Sequence, residues 1–224
     1  MQDALATAGY LIVPGLIPIE QLAELRDEAD RFLADAPGRG GVRNLLKKSP
    51  RLRGLATQGS PAELATAVLG PEARPTKLTL FDKTPEANWK VPWHQDLTIT
   101  VAERRDAPGF GPWSIKDGLP HVQPPVSVLE RILAIRVHLD ETPAENGALR
   151  VLPGTHRLGR LSESRIAELR QQVPEALCAV PAGGAMLMSP LLVHASSASR
   201  SPSRRRVLHF EYSSARLPEG LVWA

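Results

Sequence analysis

Residues 91 to 96 read VPWHQD, and the remainder of the sequence is interpreted from this stretch. His94 and Asp96 stand two positions apart, so on a β-strand both side chains point to the same face. An imidazole and a carboxylate held side by side can bind one metal ion, with a third ligand supplied from elsewhere in the fold. Because the pattern is short and the chain has 6 histidines, a pair of polar residues at a sheet edge is the alternative.

The N-terminal third of the chain is predicted to be mainly helical. Residues 8–18 have the pattern of a short apolar strand and a turn, and residues 61–69 that of a helix ended by glycine and proline. Residues 38–41 are predicted to form a flexible loop. A longer helix is predicted at 18–35, because apolar residues recur there at helical spacing: Leu22, Leu25, Ala29, Phe32 and Leu33.

The remaining two thirds favour β-structure, interrupted by a turn and a polar, helical insertion at 161–171. In one candidate strand, Ile135 and Val137 face one way while Arg136 and His138 face the other. Helices first and strands after predict one mainly β domain over residues 1–224, an antiparallel sandwich or barrel with flanking N-terminal helices. The candidate strands are 77–81, 93–101, 132–139, 148–152, 185–194 and 206–212.

Residues 98–130 interrupt this β pattern with many prolines and glycines. A long loop inside a compact domain is usually functional, and this one directly follows Asp96. We therefore expect a lid without regular structure, in which His121 and Gln123 either touch the substrate or are solvated loop residues.

Composition and charge exclude several classes of protein. The single cysteine, Cys178, cannot form an intrachain disulfide, which favours a reducing compartment. The N-terminus lacks a basic segment before its short apolar run, and no stretch approaches the roughly 18 apolar residues of a membrane helix. These features predict a cytoplasmic protein without a membrane partner.

The basic run at residues 203–206, SRRR, is the densest cluster of positive charge. With a formal net charge of only +3 and many scattered acids, a solvated surface is favoured over a nucleic-acid site, so no nucleic-acid partner is expected. A third interpretation is that one of these arginines binds a carboxylate, since a guanidinium is always charged and matches a carboxylate by two parallel hydrogen bonds.

In four ordered segments the sequence resembles the phytanoyl-CoA dioxygenase (PhyH) family of Fe(II)- and 2-oxoglutarate-dependent oxygenases. The first is GYLIVPG at 9–15, and the second is VPWHQD at 91–96. The third is LDE at 139–141 with ENGALRVLPGTH at 145–156, and the fourth begins with VHAS at 193–196 and continues to Tyr212. The resemblance implies a double-stranded β-helix, the jelly-roll of cupin-like oxygenases.

The resemblance also implies the roles of individual residues. His194 would be the third metal ligand, and Arg205, eleven positions later, would pair with the distal carboxylate of 2-oxoglutarate. Ser196 would share that carboxylate, and Trp93 would wall the cosubstrate pocket. For Ser196 and Trp93, a surface serine and a core tryptophan are the alternatives.

The cofactors implied by the resemblance are Fe(II), 2-oxoglutarate and dioxygen. The expected activity is hydroxylation of a small-molecule metabolite at an unactivated carbon. Desaturation, epimerisation or cyclisation on the same scaffold is the alternative, as is a non-catalytic jelly-roll binding module. Asp96 argues against a halogenase, in which a small residue replaces the carboxylate ligand.

Overall fold

The computed structural model describes residues 1–35, 40–84, 87–201 and 203–224. The helices predicted at 18–35, 61–69 and 161–171 are confirmed, but three short N-terminal helices were not predicted. One of them, α4, carries Gly54 in its middle, which weakens the helical pattern. The helices are α1 (Gln2–Ala8), α2 (Ile19–Ala34), α3 (Leu45–Lys48), α4 (Pro50–Gln58), α5 (Ser60–Leu69), α6 (Val126–Leu129) and α7 (Glu163–Gln172).

The strands follow the predicted β segments with two breaks, and four further strands (β2, β6, β7 and β10 in the series below) were not predicted. The segment 93–101 divides after His94, and the segment 185–194 divides after Met188, where Pro190 cannot donate a ladder hydrogen bond. The strands are β1 (Tyr10–Val13), β2 (Gly41–Val42), β3 (Arg74–Lys83), β4 (Val91–His94), β5 (Ile99–Thr100), β6 (Trp113–Lys116), β7 (Leu119–Val122), β8 (Ile132–His138), β9 (Leu149–Val151), β10 (Ala176–Cys178), β11 (Ala185–Met188), β12 (His194–Ser196) and β13 (Arg205–Ser213).

Two antiparallel sheets form the predicted jelly-roll. The larger has the order β1-β11-β8-β13-β3-β2, and the smaller has the order β10-β9-β12-β4. From β8 to β13 the chain passes repeatedly between the two sheets, with β8, β11 and β13 in the larger and β9, β10 and β12 in the smaller. Apolar side chains of both sheets meet between them in one cluster that includes Met186 and Val151. The predicted mainly β fold with flanking helices is therefore confirmed.

The outer face of the larger sheet is covered by the N-terminal helices. Leu22 and Leu25 of α2 share one buried cluster with Ile135 and Val137 of β8. Burying these side chains fixes the opposite face of β8 toward the space between the sheets, because the side-chain period of a strand is 2. Arg136 and His138, which were predicted to share the face opposite to Ile135 and Val137, are thereby turned inward.

The segment 98–130 has regular structure, which corrects the expectation of an irregular loop. It contains β5, β6, β7 and α6, and the three strands form a small antiparallel sheet in the order β5-β7-β6. Asp117 and Gly118 both have positive φ, 48° and 78°, which is the geometry of a tight hairpin turn. Prolines and glycines therefore mark the turns between strands here. Of the flexible loop predicted at 38–41, residues 38 and 39 lie outside the described residues, and Gly41 begins β2.

Candidate metal and cosubstrate site

Three side chains that could hold a metal ion meet where β4 and β12 pair. His94 and His194 lie opposite each other in the register of these strands, and Asp96 follows β4 by two residues. Asp96 is 3.5 Å from Nε2 of His94 through Oδ1 and 3.6 Å from Nε2 of His194 through Oδ2. All three ligand atoms lie within 4.8 Å of one another. Atoms bound to one ion at about 2.0–2.2 Å lie about 3–3.5 Å apart, so this set fits a metal.

Backbone carbonyls orient both imidazoles. Nδ1 of His94 lies 2.8 Å from the carbonyl oxygen of Pro92, and Nδ1 of His194 lies 2.9 Å from that of Leu192. A carbonyl only accepts, so each Nδ1 carries the proton and each Nε2 presents its lone pair toward Asp96. Metal-binding histidines commonly have this arrangement.

The pKa directions at two of these residues suit a metal. Burial lowers the pKa of His194 to about 4, although Asp96 opposes the shift. Burial would raise the pKa of the Asp96 carboxyl, but His194 and His94 outweigh burial and hold that pKa well below its ordinary range. A neutral imidazole and an ionised carboxylate are the forms that coordinate a metal.

A second cluster consists of buried cations on the inner face of the larger sheet. Arg205 of β13 lies directly opposite Lys83 of β3, and their exposed fractions are 4% and 1%. Burial first, and then the positive charges of Arg205 and Arg136, lower the pKa of Lys83 to about 8. Burial first, and then Arg136, lower the pKa of Arg205 to about 10. Like charges directly opposite each other in a sheet are destabilising, so this arrangement favours an anion bound between them.

Ser196 and the turn before β9 complete this cationic pocket. The Ser196 hydroxyl donates to the carbonyl oxygen of Gly147 at 2.9 Å, and Nζ of Lys83 lies 3.2 Å from the same hydroxyl. Arg205 also donates to the Gly147 carbonyl through Nη1. Its Nε is buried and has no hydrogen-bond partner among the described residues. An orphaned guanidinium nitrogen beside a buried ammonium fits a carboxylate ligand.

The two neighbours of Arg205 point the other way. Arg204 forms ion pairs with Asp82 and Asp30, and Arg206 pairs with Asp140 and Asp30. Carboxylates on the outer side of the sheet therefore neutralise both residues. Of the three arginines at 204–206, only Arg205 is turned into the interior.

Trp93 does not wall this pocket, which corrects the expectation for that residue. Because side chains alternate along β4, an inward His94 turns Trp93 outward. There it packs with Ile166 and Leu169 of α7, and its ring lies 5.2 Å from the Arg150 guanidinium carbon. Trp93 is part of the contact between the smaller sheet and α7.

Gln95 likewise has a structural position. Its amide nitrogen donates to the carbonyl oxygens of Gly159 and Leu191, at 2.8 and 2.6 Å, and its oxygen accepts from the Leu161 backbone. These bonds tie the residue between the two metal-facing side chains to two loops. They hold the bend after His94, and this bend lets Asp96 approach both imidazoles.

Further residues that a substrate could contact lie on β3, on β13 and in the segment 98–130. Phe81 and Thr79 of β3 border a cavity of about 1100 Å³, and the His209 ring lies 5.7 Å from that of Phe81. His121, which was expected either to touch the substrate or to be a solvated loop residue, is only 4% exposed, so the solvated alternative is wrong. Gln123 pairs through its backbone with Gly111 and Pro112.

Sequence reasoning missed Lys83 and His209. Lys83 lies at the end of β3, beyond the predicted strand 77–81. The period of 2 from Lys77 through Thr79 and Phe81 would have placed Lys83 on the same face. His209 lies four residues after Arg205 and shares its face for the same reason. The alternation along β3 and β13 grouped these residues on one face of each strand. The sequence did not show which of the two faces is the inner one.

Two histidines and one carboxylate in a jelly-roll, next to a buried cationic pocket that fits a carboxylate, define the class of non-haem iron oxygenases that use an α-keto acid. Residues 5–207 match the family model described as phytanoyl-CoA dioxygenase (PhyH). The chain therefore belongs to this family. It is an oxidoreductase of the Fe(II)- and 2-oxoglutarate-dependent dioxygenase class, with dioxygen as cosubstrate.

Curated and solved relatives agree with this assignment. The chain is 21% identical to an ectoine dioxygenase of Stutzerimonas stutzeri (strain A1501), covering 92% of this chain and 73% of that protein. It shares its fold with the epimerase SnoN solved with Fe3+, alpha ketoglutarate and nogalamycin RO, at a TM-score of 0.73 and 22% identity, covering 98% of this chain and 89% of SnoN. EctD from S. alaskensis with 2-oxoglutarate and 5-hydroxyectoine has a TM-score of 0.73 and 22% identity, covering 95% of this chain and 74% of EctD.

Proposed function

We propose that this dioxygenase hydroxylates a small-molecule metabolite at an unactivated carbon, with iron held by His94, Asp96 and His194. The observation that carries the proposal is the meeting of these three ligand atoms within 4.8 Å of one another, next to the buried pair of Lys83 and Arg205. The balanced reaction is R–H plus 2-oxoglutarate plus O2, giving R–OH, succinate and CO2.

When bound, Fe(II) supplies the site at which 2-oxoglutarate and dioxygen are converted into an oxidant strong enough to break an unactivated C–H bond. The protein positions the reactants. Arg205 and Lys83 neutralise the far carboxylate of 2-oxoglutarate, and Ser196 donates a hydrogen bond to it after leaving Gly147. The apolar packing of the sheets excludes water from this pocket.

The entrance for a small-molecule substrate is the cavity of about 1100 Å³ bordered by Thr79 and Phe81. The β6–β7 hairpin reaches this cavity, where Asp117 pairs with Arg43 at 2.8 Å. We propose that the segment 98–130 is the lid of the site. Within the described part of the chain, none of the helices combines the length and the apolar composition that a membrane span requires. We also propose a reducing cytoplasm as the compartment, because the buried Cys178 is the single cysteine.

Epimerisation or cyclisation is the second candidate, because it needs the same hydrogen removal and the fold is shared with the epimerase SnoN. The outcomes differ in the product: hydroxylation adds one oxygen atom, desaturation and cyclisation remove two hydrogens, and epimerisation keeps the mass. A non-catalytic binding module is disfavoured, since it would have no need for three inward metal ligands.

The test is succinate formation by purified protein supplied with Fe(II), 2-oxoglutarate and air, with and without a panel of metabolites. We expect slow succinate release without substrate and faster release with the true substrate, whose product mass identifies the outcome. An Asp96→Ala variant, which loses the only carboxylate ligand of the cluster, is expected to release none. Equal release by this variant would refute the proposal.

A further inference from the structure

A partly buried ion pair lies on the same inner face as Arg205, at the other end of β13. Glu211 of β13 is opposite Lys77 of β3, and Nζ of Lys77 donates to Oε1 of Glu211 at 2.7 Å. Glu211 also lines a small cavity together with Asp96 and His209. The ion pair therefore borders the metal cluster on the side away from the carboxylate pocket.

His209 holds Glu211 in place. Nη1 of Arg136 lies 3.0 Å from Nδ1 of His209, and Nε2 of His209 lies 3.3 Å from Oε1 of Glu211. A guanidinium only donates, so Nδ1 accepts and the Nε2 proton is donated to Glu211. Both hydrogen bonds to the carboxylate thus use Oε1, and among the described residues no hydrogen bond uses Oε2.

Three buried polar atoms around this pair have no hydrogen-bond partner among the described residues: Thr79 Oγ1, Thr100 Oγ1 and His121 Nδ1. Their residues are 2%, 5% and 4% exposed. Thr79 is two positions from Lys77 on the same face, and Thr100 lines one small cavity with Lys77. Thr100 and His121 are opposite each other in the register of β5 and β7.

Such atoms are costly in a folded protein, since each loses its hydrogen bonds to water without replacement. Three of them come from three different strands and surround one ion pair beside the metal cluster. A ligand with several hydrogen-bonding groups would satisfy them, whereas a hydrocarbon chain would leave them unpaired.

We infer that Lys77, Glu211, Thr79, Thr100 and His121 form the substrate subsite, and that it takes a small, hydrogen-bond-rich substrate of no net charge. This inference rests on the proposed function. Lys77 and Glu211 balance each other, so an added anion would face Glu211 and an added cation would face Lys77. A zwitterion or an uncharged polyhydroxyl or amide compound meets this requirement, and an acyl chain does not.

The probe is a small-molecule extract of the cells in which this protein naturally occurs, divided into an organic phase and an aqueous phase. Ion exchange at neutral pH divides the aqueous phase into anionic, cationic and unretained fractions. We expect the unretained fraction to stimulate succinate release by the iron-loaded protein by about tenfold or more. Passing it over a cation exchanger in acid then separates zwitterions, which are retained, from uncharged compounds.

The matched variants are Lys77→Met/Glu211→Met and, as control, Arg165→Met/Glu168→Met, which removes an exposed pair on α7. Replacing a buried ion pair by apolar residues is often neutral for stability. We therefore expect the first variant to keep its iron and its unfolding temperature while losing about tenfold or more of the stimulation. The control should keep the stimulation.

Stimulation by the organic, anionic or cationic fraction instead, or by no fraction, would overturn the inference. So would full stimulation of the Lys77→Met/Glu211→Met variant. Failure of the proposed function is distinguishable, because wild-type protein would then release no succinate even slowly when given Fe(II) and 2-oxoglutarate alone.

Discussion

His94 and His194 are cross-strand partners whose rings lie 4.3 Å apart, and each is oriented by the backbone carbonyl two residues before it. The same local geometry is thus repeated on β4 and β12. It directs both Nε2 atoms toward Asp96 without help from another side chain. The metal cluster is held by strand pairing, and its rigidity follows from that of the smaller sheet.

The first prediction concerns iron. Wild-type protein is expected to bind one Fe(II) per chain, measured by metal analysis after anaerobic loading. His94→Ala, Asp96→Ala and His194→Ala should each lose bound iron and succinate release, because two ligands cannot hold the ion. His156→Ala is the control, since His156 contacts the Ala6 carbonyl far from the cluster. Full iron content in Asp96→Ala would contradict the assignment.

The second prediction concerns Arg205. Arg205→Ala should weaken 2-oxoglutarate binding by about 2–5 kcal/mol, because the buried carboxylate loses its paired cation. The measurement is calorimetric titration of the metal-loaded, anaerobic protein with 2-oxoglutarate. Arg204→Ala is the control, because the Arg204 side chain pairs with Asp82 on the outer side of the sheet. The affinity of this variant for 2-oxoglutarate should stay close to that of the wild type. A larger loss in Arg204→Ala would mean that the wrong arginine has been assigned.

The third prediction is a pH dependence set by Lys83. Its pKa is lowered to about 8, first by burial and then by Arg205 and Arg136, so the free protein loses this positive charge as pH rises through that value. A bound carboxylate favours the charged form, so 2-oxoglutarate affinity should fall above pH 8, by up to about tenfold per pH unit.

Titrations of the same anaerobic protein between pH 6.5 and about 9.5, a range that brackets the lysine's pKa, test this expectation. Lys83→Met should bind 2-oxoglutarate weakly and without the fall in affinity above pH 8. An unchanged pH profile in Lys83→Met would show that Lys83 is not the titrating group.

The fourth prediction concerns Gly147, whose carbonyl accepts from both Ser196 and Arg205. A Cβ here would lie 2.8 Å from the Ser197 carbonyl oxygen and 3.1 Å from Nζ of Lys83, at a φ of +66°. Gly147→Ala should therefore lower the unfolding temperature and weaken 2-oxoglutarate binding. Gly15→Ala is the matched control, because Gly15 has a φ of +64° with nothing within 4 Å of its Cβ position.

Both variants have the same backbone strain, about 1–2 kcal/mol, so the difference between them reports the steric contact alone. Calorimetric unfolding and 2-oxoglutarate titration measure it. If the two variants lose equal stability and bind 2-oxoglutarate equally, the turn has no role in shaping the carboxylate pocket.

The fifth prediction concerns the proposed lid. Arg43→Ala removes the ion pair with Asp117 at the tip of the β6–β7 hairpin. An exposed pair contributes only about 0–1 kcal/mol, so the protein should stay folded while amide hydrogen exchange in residues 113–122 becomes faster. Arg165→Ala, which removes an exposed pair on α7, is the control.

Binding of the substrate should slow hydrogen exchange in the same segment, and shortening the loop between Pro108 and Pro120 should impair substrate-coupled turnover. The affinity for 2-oxoglutarate should be nearly unchanged in that shortened protein, since its pocket lies on the inner face of the larger sheet. Unchanged substrate kinetics would exclude a lid role for the segment.

The sequence by itself determined several features that depend on a local period. The spacing of His94 and Asp96 allowed one shared ligand set, and the alternation at residues 204–206 meant that Arg205 faces away from its neighbours. Apolar spacing predicted α2 and placed Ile135 and Val137 on one face of β8. These conclusions need only the period of 2 or 3.6 residues. Family resemblance added His194, which no spacing from His94 could single out among 6 histidines.

The tertiary structure decided which face of each strand became the interior and which distant residues met there. Trp93 turned outward by local alternation once the inner face of β4 was fixed, and Lys83 became a site residue only because β3 pairs with β13 in the register that sets it opposite Arg205. Local sequence is silent on the inner face and on this register, because strand pairing is selected by burial of the whole apolar set of a sheet. For the same reason the prolines and glycines of residues 98–130 did not reveal that the strands between them pair with one another.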